Sequence, residues 1–345
     1  MGVHYEETPF VVISVISNLF LLCGLICTIY NLAMHSRAKY FAHRKRPIMV
    51  ILSLVGACIV CLYTSLWFYP WAEAVLILVN ILLTISIWTL YHYFKETLMY
   101  FTDKYLQANP EELTKVIGDD NKDGFTSRML EEPYPKDKIP LIQRWKMSDR
   151  FVAYLIVVEG YAKVFPFVNV KIVHFKSALL FMNIKTLYMA SFCLLAPLLQ
   201  AFQYLTKEII DDQVHFKLSL FLNFFTICMA ICSIVFIIGL TTNFKKTLKF
   251  EKFRSQVVSV NLMQGSYLII RILFTFFPLK YTDYTKDESF VLTVVCSYSV
   301  VLCIFTLLQL YSFNASRVIN YINEEDKMAA PPIRSSLTEQ KFCGK

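Results

Sequence analysis

The chain has 345 residues, of which 56% are apolar or aromatic and only 17% charged, against about 25% charged in ordinary soluble domains. That balance excludes a disordered chain and a plain soluble enzyme, and 9 glycines against 29 phenylalanines leave little room for a glycine-rich linker or dinucleotide fold. The formal net charge of +8 would point to nucleic acid only if the bases shared one soluble face, whereas here they sit between apolar runs.

A bilayer core takes roughly 20 apolar residues in helix, because backbone groups cannot be left unpaired in hydrocarbon. After a tail at 1–9, seven stretches meet this requirement: 10–33, 47–69 and 72–94, then 177–202, 218–241, 257–279 and 290–313. The fold class predicted is all-α, a polytopic seven-transmembrane helix bundle. Charges nearly vanish within the spans, the exceptions being Lys185, Arg271 and Glu73 at the mouth of the third.

The connecting segments set the direction, since cytoplasmic loops retain Lys and Arg. Loop 34–46 carries Arg37, Lys39, Arg44, Lys45 and Arg46 without an acid, and 242–256 carries Lys245, Lys246, Lys249, Lys252 and Arg254 against Glu251 alone. Segments 203–217 and 280–289 each hold two lysines and three acids, and the N-terminal tail has Glu6 and Glu7. The reading is N-terminus out and C-terminus in, with the first span a signal-anchor rather than a cleaved signal peptide.

Residues 95–176 form a long cytoplasmic loop with thirteen bases and twelve acids. Its start, Tyr91 to Leu106, continues the third span as helix. Phe151 to Val158 is apolar enough to begin another span, but Glu159, Gly160, Lys163 and Pro166 interrupt it, and inserting it would put the basic loop 242–256 outside. The segment 151–173 therefore reads as an interfacial helix, lying in the inner membrane surface or packed under the bundle. Within the same loop, Asp119, Asn121, Asp123 and Gly124 match the first half of an EF-hand, but the twelfth position is Leu130 instead of Glu, so the match reads as a solvated acidic turn and no metal site. The tail 314–345 contains Pro331-Pro332 and ends Cys343-Gly344-Lys345, which is not a prenylation box. Asn314-Ala315-Ser316 has glycosylation spacing but falls on the predicted cytoplasmic side.

Nine of the ten cysteines lie within spans and behave as small apolar residues. Cys58-Ile59-Val60-Cys61 has metal spacing, but it lacks a second pair or a nearby His. The six histidines form no His-x-x-x-His set, and there is no nucleophile elbow or phosphate loop. The reading is a non-enzyme without a cofactor.

Polar side chains inside spans mark a path or a docking site, because a polar group facing lipid is expensive. Asn261, Gln264 and Arg271 share one helical face of the sixth span. Lys185 leans back toward the start of the fourth span, so it either snorkels to the inner interface or pairs with an anion. Asn80 and Thr84 are spaced i, i+4 on the third span. Trp67, Tyr69 and Trp71 read as interfacial anchors. The substrate-binding candidates are thus Arg271, Gln264, Asn261, Lys185, Asn80 and Thr84.

Three segments carry a resemblance. Arg46-Pro47 through Tyr63-Thr64-Ser65-Leu66-Trp67-Phe68-Tyr69-Pro70, followed at once by the third span, is similar to the second hairpin of the organic solute transporter alpha subunit and the transmembrane protein 184 group. Phe181-Met182-Asn183-Ile184-Lys185-Thr186 resembles the lysine-bearing fourth span of that family. Lys252-Phe253 with Gln264 resembles its sixth, with a spacing two residues shorter. No cysteine lies between Cys61 and Cys193, so the lipidated cysteine cluster of the transporter subunit does not carry over. The resemblance implies facilitated movement of bile acids, steroid conjugates and similar amphipathic anions, usually with a single-span beta-type partner, in the plasma membrane or an endomembrane. The partners expected are thus the lipid bilayer, that subunit and an amphipathic anionic molecule or lipid, with no nucleic acid. A chemosensory receptor and an assembly subunit of a larger membrane complex are the alternatives. Against a rhodopsin-like receptor, the third span ends Tyr91-His92-Tyr93 and the seventh lacks Asn-Pro-x-x-Tyr.

Overall fold

The structure is a computed structural model that describes residues 8–38, 42–67, 71–108, 141–165, 168–207, 209–244, 253–277 and 286–315. Helix accounts for 91% of them. The elements are α1 (Thr8–Arg37), α2 (Ala42–Trp67), α3 (Ala72–Ala108), α4 (Leu141–Glu159), β1 (Tyr161–Phe165), β2 (Val168–Lys171), α5 (Phe175–Thr206), α6 (Asp212–Asn243), α7 (Phe253–Phe276) and α8 (Lys286–Ser312). All but α4 among the helices are long and apolar enough to cross a membrane, the mark of an integral membrane protein.

Burial is inverted relative to a soluble protein. Val15, Leu19, Leu22 and Ile26 of α1, Leu180, Leu187 and Leu194 of α5 and Phe221 and Phe224 of α6 all point outward, while Asn80, Lys95, Ser233, Ser259 and Gln264 are buried. Hydrocarbon surroundings reverse the usual penalty, favouring leucine outside and hydrogen-bonded polar groups between helices. The core is nevertheless apolar and aromatic at its centre, with Phe94, Phe192, Tyr267 and Tyr298 fully enclosed.

Cross-helix contacts define two ends. The start of α1 lies at what we term the Thr8 end, with the α2–α3 and α5–α6 turns, where Lys207 pairs with Glu73 at 3.4 Å. At the opposite, Arg37 end, α1 and α8 are clasped by Asn31 Nδ2 donating to Gln309 O at 3.4 Å and by a hydrogen bond between the ring of His35 and Phe313 O. Small residues permit the close approach of these helices: a Cβ on Gly24 would stand 3.3 Å from Thr306 Oγ1 and 3.4 Å from Ile59 Cδ1. Two of the predicted boundary aromatics, Trp67 and Trp71, are exposed at the Thr8 end; Tyr69 lies outside the described residues.

The third span runs on as predicted, α3 reaching Ala108 in 37 residues. The interfacial helix expected near 151–173 needs correction. The helix begins earlier, at Leu141, and stops at Glu159, where Gly160 adopts φ +75, a backbone conformation that few residues other than glycine accept. A β-hairpin follows, with Tyr161 opposite Lys171 and Lys163 opposite Asn169, closed at its base by Ile172 N donating to Gly160 O at 3.1 Å. The run Phe151–Ile156 is completely buried against α3 and α5, so α4 is packed into the bundle by both faces. The acidic turn Asp119, Asn121 and Asp123 falls outside the described residues.

Candidate functional site

Polar side chains of α3, α5 and α7 meet in the middle of the bundle. Gln264 Nε2 donates to Asn80 Oδ1 at 2.6 Å, and Asn80 Nδ2 donates to Gln200 Oε1 at 2.7 Å. Gln200 Nε2 then donates to the Tyr267 hydroxyl at 2.9 Å, which passes its own hydrogen to Leu76 O at 2.8 Å. Each member is at most 5% exposed. The chain runs in one direction and ends on a backbone carbonyl, so every donor in it has an acceptor. A carboxamide suits this relay because it donates and accepts at once.

Above the network, toward the Thr8 end, a cavity of about 610 Å³ opens between α3, α5, α6 and α7. Gln200 forms part of its floor, Arg271, Lys207 and His215 bring basic groups, and Phe216, Phe274, Phe276 and Phe290 supply apolar wall. The Arg271 guanidinium lies over the Tyr267 ring, 5.9 Å from its centroid, and its Nε is buried without a hydrogen-bond partner among the described residues. Among the described residues the one carboxylate lining the cavity, Glu73, pairs with Lys207. His215 is held by Gln203 O at 2.9 Å, and Gln203 Nε2 donates to Asn223 Oδ1 at 3.2 Å. The cavity thus combines a guanidinium lacking a carboxylate partner among the described residues, hydrogen-bonding carboxamides and aromatic wall.

The six sequence candidates separate into groups. Asn80 and Gln264 touch directly, and Arg271 stands about two turns beyond Gln264 on the shared face. Asn261 is buried on α7 but donates only to Val257 O of its own helix, at 2.8 Å. Thr84 likewise donates to its own helix, reaching Asn80 O at 3.0 Å. Lys185 is far from the cavity, fifteen residues or roughly 22 Å of helix rise below Gln200. It does not snorkel: the residue is 3% exposed, and Nζ donates to Lys163 O of β1 at 3.2 Å while lying 4.5 Å from the Phe181 ring centroid. Burial by the hairpin, which the sequence reading had as helix, is what closes its route to water.

A second buried cluster escaped the sequence reading. Lys95, fully enclosed, pairs with Asp149 of α4 at 2.6 Å. Thr186 of α5 donates to the same carboxylate at 3.1 Å and lies 3.0 Å from the Tyr91 hydroxyl. Burial holds the Asp149 carboxyl above its ordinary value, outweighing the opposite pull of Lys95 and Thr186. Beside this pair His92 stacks on Trp145 with ring centroids 4.0 Å apart and meets the edge of Trp88 at 4.3 Å. This cluster fixes α4: Lys95, Asp149, Thr186 and Tyr91 are engaged with one another, which marks them as architecture, whereas His92 is held by ring stacking, both its nitrogens being buried without a hydrogen-bond partner among the described residues. Among the described residues no group of three His, Cys, Asp or Glu side chains could hold a metal ion, and all nine cysteines there are free.

No protein-family model, curated protein or solved structure matches the chain. The geometry of the cavity and its floor therefore carries the functional reading.

Proposed function

We propose that this chain is a membrane transport protein for amphipathic organic anions, bile-acid-like or steroid-conjugate-like solutes, with the cavity at the Thr8 end as their binding site. The observation that carries this is Arg271: a guanidinium with no carboxylate partner among the described residues, set in a cavity of mixed lining where phenylalanines stand beside carboxamides. A charged group in such surroundings is costly until an opposite charge arrives, and the surrounding phenylalanines suit the apolar body of a solute with one anionic end. With the N-terminus outside, as the basic loops predict, the cavity opens to the exterior. The resemblance adds a single-span partner subunit, which copurification of the tagged chain addresses.

Uptake of labelled steroid sulfate into vesicles holding the protein tests the proposal. Loss of a charge-assisted contact in Arg271→Leu is expected to lower uptake about tenfold or more; equal rates for the two proteins would remove Arg271 from the site. One observation favours a receptor instead: the carboxamide network beneath the cavity is sealed, so a ligand above it reaches α3, α5 and α7 without passing through. Ligand-dependent nucleotide exchange on an added G protein, with no uptake, would select that reading.

A further inference from the structure

We propose that Lys185 is a second anion-binding site, at the Arg37 end, and that the β-hairpin is its displaceable cover. The inference rests on the transport reading for the class of anion but on separate residues. Lys185 Nζ has three N–H groups. It donates to Lys163 O and lies 4.5 and 5.4 Å from the ring centroids of Phe181 and Phe236; among the described residues no carboxylate pairs with it. The two rings favour a cation electrostatically, but neither neutralises it. A lone carbonyl is a weaker partner for an ammonium than a sulfate, sulfonate or carboxylate, because it offers only a dipole where the anion adds the attraction of a full opposite charge.

Bundle side chains clamp the cover by hydrogen bonds at one residue, Lys163, beside the buried Ala162. In β1 the backbone of Lys163 faces away from β2, and both of its hydrogen-bonding groups are taken by bundle side chains: Asn243 Oδ1 accepts from Lys163 N at 3.0 Å, and Lys185 donates to Lys163 O. Two side chains thus substitute for a neighbouring strand along an otherwise open sheet edge. The hairpin joins α4 through Gly160, where a Cβ would meet nothing within 4 Å, leaving open space at the joint. An anion that takes Lys185 from Lys163 removes one of the two clamps and leaves only Asn243 on that edge, so binding from the bundle interior loosens the hairpin.

Hydrogen–deuterium exchange of the full chain in detergent, with and without a steroid sulfate as probe, reads this directly at amides 161–171. Saturating probe is expected to speed exchange at Lys163 N–H and its neighbours about tenfold. Lys185→Met is expected to exchange fast with or without probe, and Lys185→Arg, which keeps the charge, to respond like the natural chain. A hairpin whose exchange ignores the probe in the natural chain overturns the inference. Probe retention measured on the same samples separates the two readings: retention lost in Arg271→Leu with the hairpin unresponsive sinks only the second site, whereas retention indifferent to Arg271 with a responsive hairpin sinks only the cavity.

Discussion

The pair Lys95–Asp149 offers the most quantitative perturbation. The two charged atoms lie 2.6 Å apart with side chains 0% and 9% exposed, a separation at which direct attraction is about 6 kcal/mol for an effective dielectric near 20. Desolvation of both ions offsets much of that gain, so the pair adds little over a well-packed apolar replacement, whereas removing one partner strands the other and costs about 3–5 kcal/mol. Asp149→Ala alone is therefore expected to destabilise the chain by about 3–5 kcal/mol, and the double change Lys95→Met with Asp149→Leu by much less than the two single changes together. Reversible unfolding in mixed detergent micelles, run as a double-mutant cycle, measures the coupling, with proteolysis near α4 as a local readout. If Asp149→Ala unfolds within about 0.5 kcal/mol of the natural chain, the pair is not what holds α4, and docking comes from Phe151–Ile156 and the Trp145 ring contacts instead.

Other perturbations follow from the same contacts. Asn80→Leu removes the centre of the carboxamide relay and leaves Gln264 and Gln200 each short of a partner, an expected loss of about 1–3 kcal/mol in the same unfolding assay. Gly24→Leu overfills the α1–α2–α8 junction, where even a Cβ meets Thr306 at 3.3 Å, and is expected to cost about 1–3 kcal/mol, Gly24→Ala less. Trp145→Ala uncovers His92, and is expected to raise its reactivity toward diethyl pyrocarbonate while changes on the far side of the bundle leave it protected.

The seven spans were legible because hydrocarbon imposes a simple rule, a long apolar run, that needs no knowledge of neighbours. The stripe Asn261, Gln264, Arg271 was legible for a related reason: helical spacing alone places those residues on one face, and Asn261 and Gln264 are indeed buried. What spacing cannot supply is the partner helix. Gln200 and Tyr267 complete the relay from 120 and 67 residues away in sequence from the groups they touch; Gln200 has no local pattern that marks it, and Tyr267, though spaced with Gln264 and Arg271, reads as one more aromatic in an apolar span. Lys95 misled for the opposite reason. It stands just past an apolar run, where a lysine ordinarily meets water, and only Asp149 on a helix 54 residues later makes its burial tolerable. The hairpin was missed because Ala162, Val164 and Val168, Val170 form runs too short to separate from a broken helix without the turn at Gly160.

The clasp between α1 and α8 bears on how the protein is made. Asn31 and the carbonyl it binds are 278 residues apart, so a ribosome adding about 5–20 residues per second delivers the second helix roughly 14–55 s after the first. Throughout that interval Asn31 lacks its acceptor on the last helix, and the first helix depends on a chaperone, the insertion machinery or the lipid itself. Truncated products that stop before α8 are thus natural targets for membrane quality control, whatever the state of the helices between.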